Sequence, residues 1–314
     1  MKRISLIVPC LNEEEAIPAF KQEIDRVFKE CLEGYAPELI FVDDGSTDRS
    51  LEMIKKMAEH SPEVKFISFS RNFGKEAAIY AGLEAATGDY AAVMDVDLQD
   101  PPSLLPDMLK AIEKEGYDCA GTRRVTRQGE PLLRSFFARA FYKTIHQISD
   151  TRIVDGARDY KLMTRPVLEA LLSLKEYNRF SKGLYEWVGF RTKWFEYENV
   201  ERVAGETKWS FFKLFLYSIE GIVAFSTAPL ALASIMWVLL SFISFLSIII
   251  LTVRELIWPH SAYGWTSLVC VFCMMGGIVL LCLGILGQYL AKTYTEVKKR
   301  PIYIARERSI KPFN

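Results

Sequence analysis

Two aspartates and a glutamine alternate at residues 95–99, directly after a short apolar run that is typical of a buried strand. Asp95, Asp97 and Gln99 would share one face if the extended backbone continued, because side chains alternate along a strand. Two carboxylates and an amide oxygen suit Mg²⁺ or Mn²⁺ when phosphates supply further ligands. The spacing predicts metal-assisted chemistry in which the ion neutralises charge on a departing diphosphate. The alternative is that these carboxylates cap the next helix.

A second acidic pair, Asp43 and Asp44, ends another apolar run and precedes a Gly-Ser-Thr-Asp turn. Thr47 or Asp48 as the N-cap of the next helix would explain part of this motif. A cap does not require adjacent carboxylates at 43 and 44, however. At a strand end, the pair is suited to accept hydrogen bonds from a base or a ribose, and residues 9–13 would form the other wall of that pocket.

Strand-like and helix-like segments alternate over the first 120 or so residues and place both acidic clusters at strand ends. Apolar, β-rich runs predict strands at 4–9, 39–42, 64–69 and 90–94, and helical spacing predicts helices at 13–31, 48–60, 75–86 and 103–115. This alternation predicts an α/β fold with a doubly wound sheet that binds ligands at the carboxyl ends of its strands. No G-x-G-x-x-G follows the first strand and no G-x-x-x-x-G-K-[ST] occurs, which argues against a dinucleotide dehydrogenase and a P-loop ATPase.

Two long uncharged runs occupy the last third of the chain. No charged residue occurs at 221–253 or at 261–291, and a membrane-spanning helix needs about 20 apolar residues. We therefore expect a hairpin of two transmembrane helices, at about 228–253 and 263–290. Basic residues outnumber acidic ones in the tail, 293–314. This bias predicts that the tail and the N-terminal part both lie in the cytoplasm.

The composition agrees with a soluble domain joined to a membrane anchor. The 314 residues include 39 basic and 39 acidic side chains, and a neutral chain lacks the positive potential that drives nucleic-acid binding. Residues 131–148 and 208–225 combine aromatic and basic side chains, which is typical of helices at a membrane surface; ordinary amphipathic helices packed on the sheet are the alternative. The predicted parts are a catalytic domain (1–205), an interfacial helix (206–226), the two spans (227–292) and the tail (293–314).

Four motifs occur in the order and spacing of one known family. They are residues 8–14, 42–48, 71–78 and 95–102. Together they resemble glycosyltransferase family 2, whose members have the GT-A fold with a mixed or parallel sheet. Within it the chain is similar to the polyisoprenyl-phosphate glycosyltransferases, which include dolichol-phosphate mannose synthase, and most of all to bactoprenol glucosyltransferases. That closer match includes residues 205–210, 287–289 and 299–301 and the two spans.

The resemblance implies transfer of a sugar, glucose in the most similar group, from a UDP-sugar to undecaprenyl phosphate. The reaction would invert the anomeric configuration, require Mg²⁺ or Mn²⁺, and take place at the cytoplasmic face of the bacterial inner membrane. Implied nucleotide-pocket residues are Pro9, Leu11, Glu13, Val42, Asp43, Asp44, Lys75, Asp95 and Val96. Implied metal ligands are Asp95, Asp97 and Gln99. Implied catalytic residues are Asp97, Asp159, Arg123 and Lys208, of which Arg123 and Lys208 would meet phosphate charge.

The roles that the resemblance implies need qualification at two residues, Leu11 and Asp159. Leu11 occupies a position where many relatives have tyrosine, which weakens any prediction of ring stacking there. Asp159 aligns with an acidic residue often proposed as the catalytic base. A lipid monophosphate, with a second pKa near about 6, is already a largely dianionic nucleophile at pH 7. Asp159 would therefore act as a base, orient the acceptor, or cap the segment that follows.

Several alternatives share much of this pattern. UDP-N-acetylglucosamine or an aminoarabinose derivative would serve as donor in sister enzymes. A processive polysaccharide synthase would carry a Gln-x-x-Arg-Trp segment and more spans, and the sequence has neither. An inactive membrane scaffold would be expected to lose the metal-binding residues, which are retained. The resemblance favours a homo-oligomer, with a tetramer among its forms, and small residues such as Gly276, Gly277, Gly284 and Gly287 would let helices approach closely.

Overall fold

The computed structural model describes residues 1–124, 154, 156–197, 226–257 and 264–310. These residues form an α/β domain, two long helices and a short tail. The two segments predicted to lie at the membrane surface, 131–148 and 208–225, lie outside the described residues, and so does Lys208.

The order of the described elements follows the strand–helix alternation of the sequence. The strands are β1 (Lys2–Cys10), β2 (Tyr35–Asp43), β3 (Val64–Phe69), β4 (Tyr90–Val93), β5 (Cys119–Arg124), β6 (Ala157–Thr164), β7 (Thr192–Tyr197) and β8 (Ala305–Arg308). The helices are α1 (Ala16–Cys31), α2 (Ser50–His60), α3 (Lys75–Ala85), α4 (Leu105–Glu115), α5 (Arg165–Ser173), α6 (Ser181–Trp187), α7 (Ala228–Ile257) and α8 (Trp265–Val297). The strands and helices predicted for the first third of the chain are therefore confirmed.

The eight strands in the described residues form one mixed sheet in the order β7-β5-β6-β4-β1-β2-β3-β8. The central strands β4, β1, β2 and β3 are parallel, whereas β6 runs antiparallel to both β4 and β5. In the register of β1 and β2, Pro9 lies opposite Val42 and Cys10 opposite Asp43. The two loops predicted to form a pocket therefore start side by side at the carboxyl edge of the sheet.

Helix α3 lies unusually close to the sheet, and this fixes the position of its first residue, Lys75. The helix is rich in alanine, and most of its residues are buried. At Gly82, an added Cβ would lie 2.3 Å from the Cγ2 atom of Ile7 in β1. Only glycine fits at this contact, because a larger residue would overpack the interface at a cost of about 1–3 kcal/mol.

The tail forms part of the sheet, which the sequence did not predict. β8 pairs antiparallel with β3 at the sheet edge. The Tyr303 ring stacks on Phe69 with ring centroids 5.0 Å apart, and the Ser70 backbone N–H donates to the Ile304 carbonyl at 3.0 Å. The last described residues therefore belong to the same folded unit as β1.

Helices α7 and α8 are long and apolar enough to cross a membrane. Their candidate spans are Ala228–Ser247 and Met274–Val297, and only 6% of each is buried by the rest of the protein. No described atom lies within 4 Å of a Cβ built at any of the four glycines of α8, Gly276, Gly277, Gly284 and Gly287. That surface is open to a neighbouring helix, and the homo-oligomer stays a prediction.

The end of α8 is attached to the α/β domain by hydrogen bonds. Asn178 donates to the Lys292 carbonyl at 3.3 Å and to the Thr295 hydroxyl at 3.0 Å. Glu296 accepts a hydrogen bond from the Tyr177 backbone N–H at 3.0 Å. The second candidate span therefore ends directly against the domain.

Candidate active site

One wall of the site is built where β1 and β2 end. Asn12, whose backbone is left-handed with φ 56°, accepts a hydrogen bond from the Thr47 backbone N–H at 2.8 Å. Its own N–H donates to the Ser46 hydroxyl at 3.0 Å, and the Glu13 N–H donates to Ser50 at 2.8 Å. Asparagine adopts this conformation more readily than most residues. Asn12 was not among the site residues predicted from the sequence, although it lies within the first of the four family motifs, at residues 8–14.

Asp43 and Asp44 hold the loops around this wall. Asp43 accepts hydrogen bonds from the Ser46 N–H at 3.0 Å and the Ser68 hydroxyl at 2.8 Å. Asp44 accepts from the N–H groups of Phe73, at 2.7 Å, and Gly74, at 3.0 Å. Burial raises the pKa of the Asp44 carboxyl, although these hydrogen bonds lower it. Both carboxylates are buried, and their contact with a base or ribose stays a prediction.

Gly45 lets the turn after β2 touch the loop that precedes α3. Its φ is +77°, and an added Cβ would lie 2.8 Å from the carbonyl carbon of Arg71 and 2.9 Å from the Asn72 nitrogen. Those neighbours are backbone atoms, which cannot rotate away as a side chain can. Glycine is therefore required both by the left-handed conformation and by the close approach.

The other predicted pocket residues fall into two groups, one half-buried and one fully buried. Pro9, Leu11 and Glu13 are half-buried at the end of β1 and on the loop that follows it. Val42 and Val96 have buried side chains that belong to the apolar core. The side chains of these two valines are therefore not available to a ligand.

Lys75, Asp95 and Asp159 meet at the carboxyl edge of the sheet. The Lys75 ammonium lies 2.7 Å from Asp95 Oδ1 and 2.5 Å from Asp159 Oδ2. Burial alone would raise the pKa of Asp159, but the charges of Lys75 and Lys182 and the hydrogen bond from Lys75 outweigh it and hold that pKa well below its usual range. Asp159 is therefore an ionised carboxylate at neutral pH. It lies inside β6, so the interpretation that it caps a following segment is wrong.

The predicted metal ligands lie on a turn rather than on an extended strand. β4 ends at Val93, and Leu98 has a left-handed backbone with φ 56°. The Gln99 N–H donates to Asp97 Oδ1 at 3.1 Å. The condition under which residues 95, 97 and 99 would share one face of a strand is therefore not met, because the chain turns here towards α4. The bond that Asp97 accepts from the Gln99 N–H resembles the bond that an N-cap side chain accepts from a backbone N–H two residues later.

The chemistry of this turn still fits a magnesium or manganese ion. Among the described residues no group of three or more His, Cys, Asp or Glu side chains is placed to hold a metal. Asp95 and Asp97 supply two carboxylates and Gln99 an amide oxygen, and Mg²⁺ commonly takes one or two carboxylates with substrate phosphates and water. The Asp95 carboxylate already contacts one cation, the Lys75 ammonium.

Arg123 lies at the end of β5 and is paired with an acidic residue. Its Nη2 forms an ion pair with Glu196 of β7, which is its register partner across the two strands. Arg123 Nε is buried and has no hydrogen-bond partner among the described residues. The structure therefore groups Asp159 with Asp95 and Lys75, whereas contact of Arg123 with phosphate stays a prediction.

A buried ion pair that sequence analysis missed connects the metal-ligand turn to β6. Asp100 is 1% exposed and accepts hydrogen bonds from Arg158 Nε, at 3.0 Å, and from the Tyr197 hydroxyl. Arg158 immediately precedes Asp159 in the strand. The pair therefore fixes the turn that carries Asp95 and Asp97 relative to the strand that carries Asp159. The Asp-Pro-Pro sequence at 100–102 marked the turn but gave no indication of the partner.

The sequence profile described as "Glycosyl transferase family 2" matches residues 5–172, which contain most of β1, all of β2 to β6 and nearly all of α5. The chain belongs to glycosyltransferase family 2. This glycosyltransferase has the GT-A fold, and the carboxyl edge just described is its candidate active site.

Relatives of this glycosyltransferase extend over nearly the whole chain, including the two long helices. The putative glycosyltransferase CsbB of Bacillus subtilis is 41% identical over 98% of this chain and 92% of its own. The prophage bactoprenol glucosyl transferase homolog of Escherichia coli is 39% identical over 97% of this chain and 98% of its own. Mannosyl-3-phosphoglycerate synthase of Rubrobacter xylanophilus has a solved structure with a TM-score of 0.48 and 16% identity, covering 70% of this chain and 72% of that one.

Proposed function

We propose that this glycosyltransferase transfers glucose from UDP-glucose to undecaprenyl phosphate, with inversion at the anomeric carbon and with Mg²⁺ or Mn²⁺. The observation that carries the proposal is the meeting of Lys75, Asp95 and Asp159 beside Asp97 in a domain attached to two apolar helices. Relatives named as bactoprenol glucosyl transferases, 39% identical over 97% of the chain, support the acceptor and the sugar.

The chemical step is a single displacement. An oxygen of the acceptor phosphate attacks the anomeric carbon, the bond from that carbon to the UDP oxygen breaks, and UDP leaves from the opposite face of the sugar. The acceptor needs little help from a base, because its phosphate is largely dianionic near pH 7. The protein's contribution is then to position two anionic substrates and to offset their repulsion.

Asp95, Asp97 and Gln99 are the residues that would hold the divalent ion. When bound, such an ion neutralises the charge that develops on the leaving diphosphate. Lys75 supplies a further positive charge from the protein at the same edge. Its position is fixed by α3 and by the two carboxylates it contacts.

Asp159 is better suited to positioning than to proton transfer. An efficient general base has a pKa near the working pH, whereas the pKa of Asp159 is held well below its usual range. We infer that Asp159 keeps the Lys75 ammonium directed at the site and orients the acceptor phosphate. Arg123 and Lys208 would meet phosphate charge, as the family resemblance implies.

The membrane attachment suits a lipid acceptor. The isoprenoid chain of undecaprenyl phosphate stays in the bilayer, so the enzyme must work at the membrane surface. α8 ends against the domain through Asn178 and Tyr177, which holds the domain at that surface. We propose that the domain lies on the cytoplasmic face of the bacterial inner membrane, where basic residues after a span are favoured.

The proposal is tested by Asp97→Asn in the full-length enzyme, with radiolabelled UDP-glucose, undecaprenyl phosphate and Mg²⁺ or Mn²⁺. We expect kcat/KM to fall by roughly 100-fold or more, because a metal ligand contributes several kcal/mol to transition-state stabilisation. Asp107→Asn is the matched control, since Asp107 is exposed on α4 and should change activity less than about twofold. Near-normal lipid labelling by Asp97→Asn would refute the metal assignment.

The wild-type enzyme distinguishes the remaining alternatives. Incubation with UDP-glucose, UDP-N-acetylglucosamine and an aminoarabinose donor, followed by mass spectrometry of the lipid, should show the hexosyl product predominating. Predominant labelling from another donor would overturn the choice of glucose. Failure to label the lipid from any of them would favour an inactive scaffold.

A further inference from the structure

A second cavity lies where the tail leaves α8 and joins the sheet. Its volume is about 1140 Å³, and α3, the connection between α5 and α6, the end of α8 and the tail form its walls. Tyr80 and Glu84 of α3 line it, whereas Lys75, at the start of the same helix, contacts the candidate active site. The helical rise from Lys75 to Glu84 is about 13 Å. The cavity is therefore separate from the site where glycosyl transfer is proposed.

The cavity is lined by basic side chains that are not neutralised by ion pairs. These residues are Lys175, Lys299, Arg300, Arg306 and Arg308. Within the part of the chain that the structure describes, none of them has a carboxylate oxygen within the 4 Å of an ion pair. Several cations around one cavity repel one another, so the arrangement favours binding of an anion.

Four acidic residues also line the cavity, Glu84, Glu176, Glu296 and Glu307. Glu84 accepts a hydrogen bond from the Tyr303 hydroxyl at 2.6 Å, Glu296 accepts from the Tyr177 N–H, and Glu307 pairs with Lys55. The fourth, Glu176, is half-buried, and burial raises its pKa. A neutral hydrogen-bond donor leaves a carboxylate charged, so only Glu307 is neutralised, by Lys55, and the five basic residues of the cavity exceed the other three acidic ones by two charges.

The position of the cavity relative to the second candidate span indicates which kind of anion can reach it. That span ends at Val297, and Lys299 and Arg300 follow directly. Lys299 has a left-handed backbone with φ 49°, which turns the chain from the helix into the cavity wall. Basic residues that reach the lipid headgroups from the end of a span strengthen binding of anionic lipid by about fivefold each.

We propose that this cavity binds the phosphate headgroup of an anionic phospholipid from the surrounding bilayer. The headgroup enters beside the end of α8, while its acyl chains remain among the lipids. Arg300 is suited to contact the phosphate through two N–H groups, as guanidinium groups do with phosphate oxygens. The inference goes beyond the proposed glycosyl transfer and does not depend on it.

Bound lipid would also steady the candidate active site through the tail. Tyr303, in the cavity wall, stacks on Phe69, and the Ile304 carbonyl accepts a hydrogen bond from Ser70. Ser70 directly precedes the loop whose N–H groups are held by Asp44. A headgroup that keeps the tail on the sheet edge therefore supports the wall of the nucleotide pocket.

The test measures lipid binding by the full-length protein in neutral detergent, without sugar donor. Fluorescent phosphatidylglycerol should bind more tightly than fluorescent phosphatidylcholine. Arg300→Gln should weaken phosphatidylglycerol binding by about fivefold or more, and Arg300→Lys, which keeps the charge but not the two-N–H contact, should bind with an affinity between those of the wild type and Arg300→Gln. Lys298→Gln is the matched control, because Lys298 is exposed over the Tyr294 ring and does not line the cavity. An unchanged thermal midpoint for Arg300→Gln shows that the variant is folded.

Three results would overturn the proposal. Equal weakening by Lys298→Gln and Arg300→Gln would mean that the tail attracts lipid through general surface charge. Displacement of the lipid by inorganic phosphate at the lipid's own concentration would identify a soluble phosphate as the ligand. Much tighter binding of undecaprenyl phosphate, lost in Arg300→Gln, would assign the cavity to the acceptor.

Discussion

The ionisation of Asp159 depends most on one neighbouring ammonium, that of Lys75, with smaller contributions from the charges of Lys182 and Arg158. Lys75 lies 2.5 Å from its carboxylate, and burial would otherwise raise the pKa of Asp159. Because the folded-state pKa is depressed, the contribution of this ion pair to stability is fully present at neutral pH. It is lost only as the pH falls through that depressed pKa.

We predict that Lys75→Gln creates an acidic limb in the pH profile of kcat/KM. With the ammonium removed, burial raises the pKa of Asp159, and activity should fall as the pH is lowered from about 7 to about 5. The wild type should show no such limb from Asp159 in that range. Lys182→Gln is the control: Lys182 lowers this pKa by its charge, without the direct hydrogen bond that Lys75 makes, so its profile should shift less. Identical profiles for wild type and Lys75→Gln would contradict the prediction.

Gly45 is the residue at which backbone geometry limits the shape of the predicted nucleotide pocket. We predict that Gly45→Ala weakens UDP binding by roughly tenfold, because its Cβ would meet backbone atoms of Arg71 and Asn72 and the two loops would have to separate. Gly34→Ala is a matched control, since Gly34 has φ +94° but open space around its Cβ position. It should cost about 1 kcal/mol of stability and leave UDP binding unchanged. Calorimetric titration of both variants with UDP measures the difference, and equal affinities would refute the assignment.

At the scale of elements, the buried pair of Asp100 and Arg158 connects a turn and a strand that are distant in sequence. We predict that Arg158→Gln lowers the free energy of unfolding by about 3 kcal/mol, because it leaves a buried carboxylate without its cation. The thermal midpoint of the full chain should fall by roughly 6 °C or more. Arg26→Gln removes an arginine from exposed ion pairs with Glu23 and Glu30 and should leave the thermal midpoint nearly unchanged, because exposed ion pairs contribute little to stability. A midpoint as high in Arg158→Gln as in Arg26→Gln would be incompatible with the proposed connection.

The strands and helices that were predicted well from the sequence are those whose positions depend on a local pattern of residue types. Strands β1 to β4 and helices α1 to α4 follow from the spacing of apolar residues, and so does the position of the acidic clusters at strand ends. β8 was missed because its sequence, Ala-Arg-Glu-Arg, is charged and exposed, and its only strand signal is its pairing with β3. The partners of Asp100 and Asp159 were missed for the same reason, since contacts between distant residues leave no local pattern.

At the scale of the whole molecule, β8 constrains how the chain crosses a membrane. β8 and β1 belong to one sheet, and both α7 and α8 lie between them in the chain. If α7 crosses the bilayer, α8 must bring the chain back to the side of the domain. The sheet thus requires an even number of crossings, which agrees with the hairpin predicted from the uncharged runs.

We predict that the end of α7 lies on the face opposite the domain. Ile257→Cys places a thiol at an exposed position at that end, while Cys31 is an exposed native cysteine on the domain. In a background that carries Cys270→Ala and Cys273→Ala, a membrane-impermeant maleimide added to intact spheroplasts should label Ile257→Cys and leave the parent chain unlabelled, because the domain that carries Cys31 is proposed to face the cytoplasm. After lysis, Cys31 should be labelled in both proteins. Labelling of Ile257→Cys only after lysis would place both ends of α7 on one side, and α7 would then pack on the membrane surface rather than cross it.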